Sequence, residues 1–115
     1  MIIERELHLT TNDIKETESL IIELKKLDLM IRGVEGKLPT LETCIVLNTY
    51  RKAKMYMTRF LQTRYLFHYK NALESFALLF DILSDHKEYQ LTVHMIRMIQ
   101  TKLGSYLIKT RGEYL

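Results

Sequence analysis

The stretch Leu41-Glu-Thr-Cys-Ile-Val-Leu-Asn-Thr-Tyr-Arg-Lys-Ala-Lys-Met-Tyr-Met-Thr-Arg-Phe-Leu-Gln62 decides how this chain folds. Val46, Tyr50, Ala53, Met57 and Phe60 alternate spacings of four and three, the period of one face of an α-helix. A strand would repeat every second residue. The spacing therefore predicts an amphipathic helix over 41–62, with Thr40 placed to cap it.

Working upstream, Gly33, Gly36 and Pro39 punctuate one loop. Before it, Asp13-x-x-Glu16 has the form of a capping box, and Leu20, Leu24, Leu27 and Ile31 repeat the helical spacing, predicting a helix over 13–32 that Gly33 ends. Downstream, Tyr69, Leu73, Phe76, Phe80 and Leu83 predict a helix over 69–84. Asp85-x-x-Glu88 and the stripe Ile96, Ile99, Leu103 and Tyr106 predict a fourth over 86–110. Residues 1–12 fit neither period well and are expected to form an N-terminal arm, leaving 13–115 as the bundle.

Four amphipathic helices with short connections bury their stripes together only by lying side by side, each antiparallel to the last. The expected fold class is all-α, an antiparallel up-down four-helix bundle. Ile21, Ile22, Leu29 and Met30, with Ile45, Leu47, Met55 and Leu61, are apolar positions outside the main stripes. They fit either a wide core-facing face or self-association.

Composition agrees. The 115 residues, 47% hydrophobic and 27% charged, suffice for one domain, and one Pro and four Gly are too few breakers for a disordered or turn-rich β chain. With Cys44 alone no intrachain disulfide can form, so a reducing, cytoplasmic setting is expected. The apolar run Phe76–Phe80 stops at Asp81, far short of the roughly 20 residues of a bilayer span. The opening Met1-Ile-Ile-Glu-Arg-Glu lacks the order of an export signal, and no membrane partner is expected.

Charge is unevenly spread. Residues 1–42 carry six Lys/Arg and nine Asp/Glu, and residues 74–115 carry five of each. Between Glu42 and Glu74 there is no carboxylate, while Arg51, Lys52, Lys54, Arg59, Arg64 and Lys70 stand among Tyr50, Tyr56, Phe60, Tyr65, Phe67 and Tyr69. These six cations are the candidate nucleic-acid-binding residues. The alternative is a solvated helix face whose cations pair with carboxylates of neighbouring helices.

Catalytic constellations are not evident. His8, His68, His86 and His94 form no pair four apart, and neither Glu74 nor Glu88 has a His three positions on, so no metal or other cofactor is expected. Ser84-Asp85-His86 holds triad residue types, but sequence neighbours at a helix end are better explained as caps. Cys44, beside Ile45-Val46-Leu47, reads as a buried inert thiol, and Gly104 as a position of close helix approach. An enzyme is not expected.

Asn71-Ala-Leu-Glu-Ser-Phe-Ala-Leu-Leu-Phe-Asp-Ile-Leu83, a polar turn with Lys87-Glu-Tyr89, and Ile96-Arg-Met-Ile-Gln-Thr-Lys-Leu-Gly-Ser-Tyr-Leu-Ile-Lys109 resemble the last two helices of a known family. This is the accessory variability determinant, Avd, of diversity-generating retroelements, with its relatives encoded in ribosomal-RNA intervening sequences. Leu103-Gly104-Ser105-Tyr106 looks like that family's Leu-Gly-Gly-Trp ending, with Tyr in the Trp place, and Leu38-Pro39 like its apolar-Pro step. The resemblance spans 14–110 as a pattern and 71–109 as recognisable sequence. It implies a homopentameric barrel of bundles that binds RNA or DNA without catalysis and partners a reverse transcriptase in mutagenic copying of template RNA. The alternative is a protein-interaction or scaffold bundle without a nucleic-acid role.

Overall fold

The computed structural model describes residues 11–34 and 36–114, with side chains from 14 to 109. Four α-helices account for nearly all of them: α1 (Thr11–Arg32), α2 (Thr40–Thr63), α3 (Leu66–Ser84) and α4 (Gln90–Tyr114). A single 3-10 turn, Lys87–Tyr89, precedes α4, and no strand occurs among the described residues. The expected arm lies outside the described residues except for Thr11 and Asn12, which belong to α1.

Side-chain pairings set the direction of each helix. Thr17 donates to Tyr106 Oη at 3.3 Å and Lys102 donates to Ser19 Oγ at 3.2 Å, so α4 runs against α1. Phe60 meets Tyr69 at one end, and Glu42 and Ile45 line a cavity with Asp81 and Ile82 at the other, so α3 runs against α2. The Arg97 guanidinium lies 4.4 Å from the Phe80 ring centre, and a Cβ at Gly104 would meet Tyr69 Oη, so α4 also runs against α3. Each helix packs on its chain neighbours and α1 closes the square on α4; the α2–α3 pair is in the most extensive contact. This is the antiparallel four-helix arrangement.

One stripe per helix fills the axis. Leu20, Leu24, Leu27 and Ile31 of α1, Val46, Tyr50, Ala53, Met57 and Phe60 of α2, and Ile96, Ile99, Leu103 and Tyr106 of α4 are all buried, as their spacing predicts. In α3 the stripe is rotated. Ala72, Phe76, Leu79 and Leu83 face the axis, whereas Tyr69, Leu73 and Phe80 lie half-buried on the flank. Small Ala72 is wholly buried there, and the guanidinium of Arg97 lies over the Phe80 ring.

Helix ends depart from the sequence expectations in instructive ways. Asp13 sits inside α1 rather than at its cap. The left-handed glycine of the α1–α2 loop is Gly36 (φ 79°), not Gly33. Thr40 is helical, Pro39 holds the cap position, and the hydroxyl that folds back is Thr43, donating to Leu38 O at 3.3 Å. Asp85 caps nothing at the start of α4. It ends α3, and Gln90 ties the turn instead, donating to Ser84 O at 3.4 Å and His86 O at 3.2 Å. Cys44 is exposed, because it falls on the outer face of α2 opposite the Val46–Phe60 stripe.

Gly104 is not a point of close approach. A Cβ there would meet only Tyr69 Oη, at 3.7 Å, an ordinary van der Waals contact. Gly104→Ala should therefore stabilise the protein by about 0.5–1 kcal/mol through helix propensity. Urea unfolding of the variant checks this; a lower midpoint would mean the α3–α4 contact cannot take a methyl group.

Candidate nucleic-acid interface

Because Val46, Tyr50, Ala53, Met57 and Phe60 point at the axis, the opposite face of α2 must lie in water. Arg51, Lys52, Met55 and Arg59 occupy it together with Leu41, Cys44 and Asn48. Lys52 and Arg59 are two turns apart on nearly the same line of the helix, about 10 Å along its axis. Lys70 is exposed one turn into α3. Arg51, Lys52, Arg59 and Lys70 make no ion pair among the described residues.

Lys54 is different. It points along α2 toward α1, where its Nζ lies 3.3 Å from Asp28 Oδ1. Arg32 Nε holds the other oxygen of Asp28 at 3.0 Å, and the Tyr50 hydroxyl sits 3.1 Å from Oδ1 and 3.3 Å from Leu24 O. Burial acts to raise the Asp28 pKa, but hydrogen bonds from Tyr50 and Lys54 and the charges of Lys54 and Arg32 outweigh it and leave the carboxyl below its ordinary value. Burial, and then the Asp28 carboxylate alongside, push the Tyr50 phenol far above its own. Tyr50 is therefore a neutral donor that fixes Asp28, and Asp28 neutralises much of the charge of Lys54.

Two cavities flank this cluster in the α1–α2 groove, of about 440 and 490 Å³, and share Asp28, Arg32 and Lys54. Arg51 lines the smaller one. Arg32, from the N-terminal half with its acidic excess, thus shares Asp28 with Lys54, a pairing that counting charges by segment did not find.

Arg64 occupies the α2–α3 corner. Its φ of 60° is left-handed, and its N–H donates to Phe60 O at 2.6 Å, which ends α2 in one residue. Its guanidinium lies 5.5 Å from the centre of the Tyr106 ring. Tyr65 is extended and starts α3, so the corner is two residues long. The aromatics of the acid-free segment divide accordingly. Tyr50 and Phe60 are buried and Tyr56 and Tyr69 half-buried, while Tyr65 and Phe67 stand in solvent.

The six candidate cations thus do not form one patch. Lys52 and Arg59 share the outer line of α2, Arg51 lies on the same outer face at its edge nearest α1, Lys54 turns to Asp28 of α1, and Arg64 and Lys70 belong to the corner. Among the described residues no group of three or more His, Cys, Asp or Glu side chains is placed to hold a metal ion, and no helix is long and apolar enough to cross a membrane. Compared with known proteins, the chain matches no family model, no curated protein and no solved structure.

A carboxyl whose folded pKa is lowered adds stability that is fully present above its unfolded value, near pH 4, and lost as pH falls through the folded value. Asp28→Asn should accordingly flatten the fall in unfolding midpoint between about pH 5 and pH 2. Thermal unfolding across that range measures it; parallel curves for the two proteins would remove Asp28 as a source of acid sensitivity.

Proposed function

We propose that this chain is a non-catalytic nucleic-acid-binding accessory protein of a diversity-generating retroelement, assembled as a homopentamer and acting with the reverse transcriptase in mutagenic copying of template RNA. The observation that carries the reading is the outer face of α2, where Arg51, Lys52 and Arg59 stand in solvent with no carboxylate paired to them among the described residues. Cations left unpaired on a rigid helix attract phosphates and release the counterions condensed on a polynucleotide. Base-specific reading is not part of the proposal, since phosphate contacts carry no sequence information.

The retroelement setting rests on the resemblance of 71–109 and of the Leu38-Pro39 step. Exposed Ile14, Ile21, Ile22 and Leu29 on α1 support subunit contacts, because isolated bundles seldom leave so much of one helix apolar and wet. The same residues favour the second reading, a protein-interaction bundle with no nucleic-acid role. Affinity for nucleic acid separates the two.

With one phosphate held by each of Arg51, Lys52, Arg59 and Lys70, raising salt from 50 to 200 mM should weaken duplex binding by about two decades. A flat response overturns the proposal. Arg51→Glu, Lys52→Glu and Arg59→Glu together should cut affinity at least about tenfold at unchanged helicity; undiminished binding would discard this face. Light scattering should give a particle of five times 13.7 kDa, and a monomer or dimer would end the pentamer reading.

A further inference from the structure

Tyr65, Leu66 and Phe67 are 54%, 50% and 65% exposed, three consecutive large apolar side chains in water at one end of the bundle. Single exposed apolar residues are ordinary, but a run of three at a turn works against solubility unless it has a use. The core does not require it. The corner is built by the left-handed Arg64 and by Tyr65 O, which accepts from the N–H groups of His68 at 3.1 Å and Tyr69 at 3.3 Å. Neither device depends on an aromatic side chain at 65 or 67.

The two rings are held in place from behind. Tyr65 lies against His68 with ring centres 6.0 Å apart and planes 29° apart. Phe67 meets the same imidazole edge-on at 5.5 Å and Tyr56 at 6.3 Å. Their outer surfaces are exposed. Braced rings lose little rotamer freedom when something stacks on them, which is the usual cost of binding through exposed aromatics. Around them the chain carries Arg59, Arg64 and Lys70, and no carboxylate occurs between Glu42 and Glu74. Glu16, on the helix that touches this end through Thr17 and Tyr106, is already held by Lys109.

Phosphates alone would not call for flat rings, and an apolar peptide would gain nothing from the cations. The ligand that uses both is a strand with charged backbone and unpaired bases. We infer that the Arg64–Phe67 corner is a stacking platform for single-stranded nucleic acid, with Tyr65 and Phe67 taking bases and Arg59 and Lys70 taking the adjoining phosphates. The inference rests on the proposed nucleic-acid role and deepens it, since duplex, whose bases stay stacked on one another, would use only the outer face of α2.

The full chain and its variants are titrated with a labelled, unstructured oligothymidylate or oligouridylate and with a duplex of equal length. Tyr65→Ala with Phe67→Ala should weaken single-strand binding by roughly tenfold or more and leave duplex binding unchanged. The chain has no Trp, so Phe67→Trp provides a single fluorescent reporter that should keep its affinity and be quenched by single strand but not by duplex. Equal single-strand affinity of the double variant, or an indole reporter that stays unquenched in the bound complex, overturns the inference. So does a change of particle mass with single-strand affinity intact, which would make the corner a protein seam. If the unaltered chain binds no nucleic acid, the proposed function falls and takes this inference with it; binding that survives ring removal removes this inference alone.

Discussion

The rotational setting of α2 is the constraint on which the rest depends. Val46, Ala53, Met57 and Phe60 are wholly buried, so turning the helix by even one position would drag Arg51 and Lys54, or Lys52 and Arg59, toward a dry interior. Tyr50 secures the same setting through a polar contact. Its hydroxyl reaches Leu24 O and Asp28 across the α1–α2 seam, and burial with the neighbouring carboxylate disfavours its ionisation. A helix pinned in this way has no choice about what it shows to water, and what it shows is cationic.

Electrostatics then sorts equivalent residue types into different jobs. Lys54 is one position along from Ala53 and meets Asp28; Lys52, on the other side of the same alanine, meets nothing charged among the described residues. The first belongs to the internal tie between α1 and α2, the second to the surface. Lys102 and Lys109 play the tie role at the other seam, holding Glu23 and Glu16 of α1. Such partly exposed pairs contribute modestly to stability, and their larger effect is to remove charge that would otherwise face outward.

Much of the fold was legible in the residues. The stripes of α1, α2 and α4 emerge buried as their spacing predicts, because a period of three and four admits only one inward face. The stripe of α3 was harder to place, since Tyr69, Leu73 and Phe80 are as apolar as Ala72 and Leu79, and only the presence of helices on both flanks decides between two overlapping faces. The start of α4 misled for a local reason: Asp85-x-x-Glu88 has the right letters, yet a 3-10 turn satisfied by Gln90 occupies the place where a capping box would act. Within the candidate interface the cations themselves were visible from the missing carboxylates between Glu42 and Glu74, whereas the loss of Lys54 to Asp28 was not. Which carboxylate a lysine meets across the α1–α2 connection depends on helix register, and register is a property of the packed state.

The two-residue corner at Arg64 and Tyr65 and the long-range closure of α1 on α4 differ in how far apart along the chain their contacts lie. Phe60 and Tyr69 are nine positions apart, whereas the polar pairs joining α1 to α4 span 83, 89 and 93. Bringing distant segments together costs loop entropy before any contact rewards it, so the α2–α3 hairpin is the natural nucleus and the α1–α4 seam the last to zip. The α1–α4 seam should correspondingly be the first part to open in native-state hydrogen exchange, and the α2–α3 hairpin, with Tyr65 and Phe67 at its corner, the last.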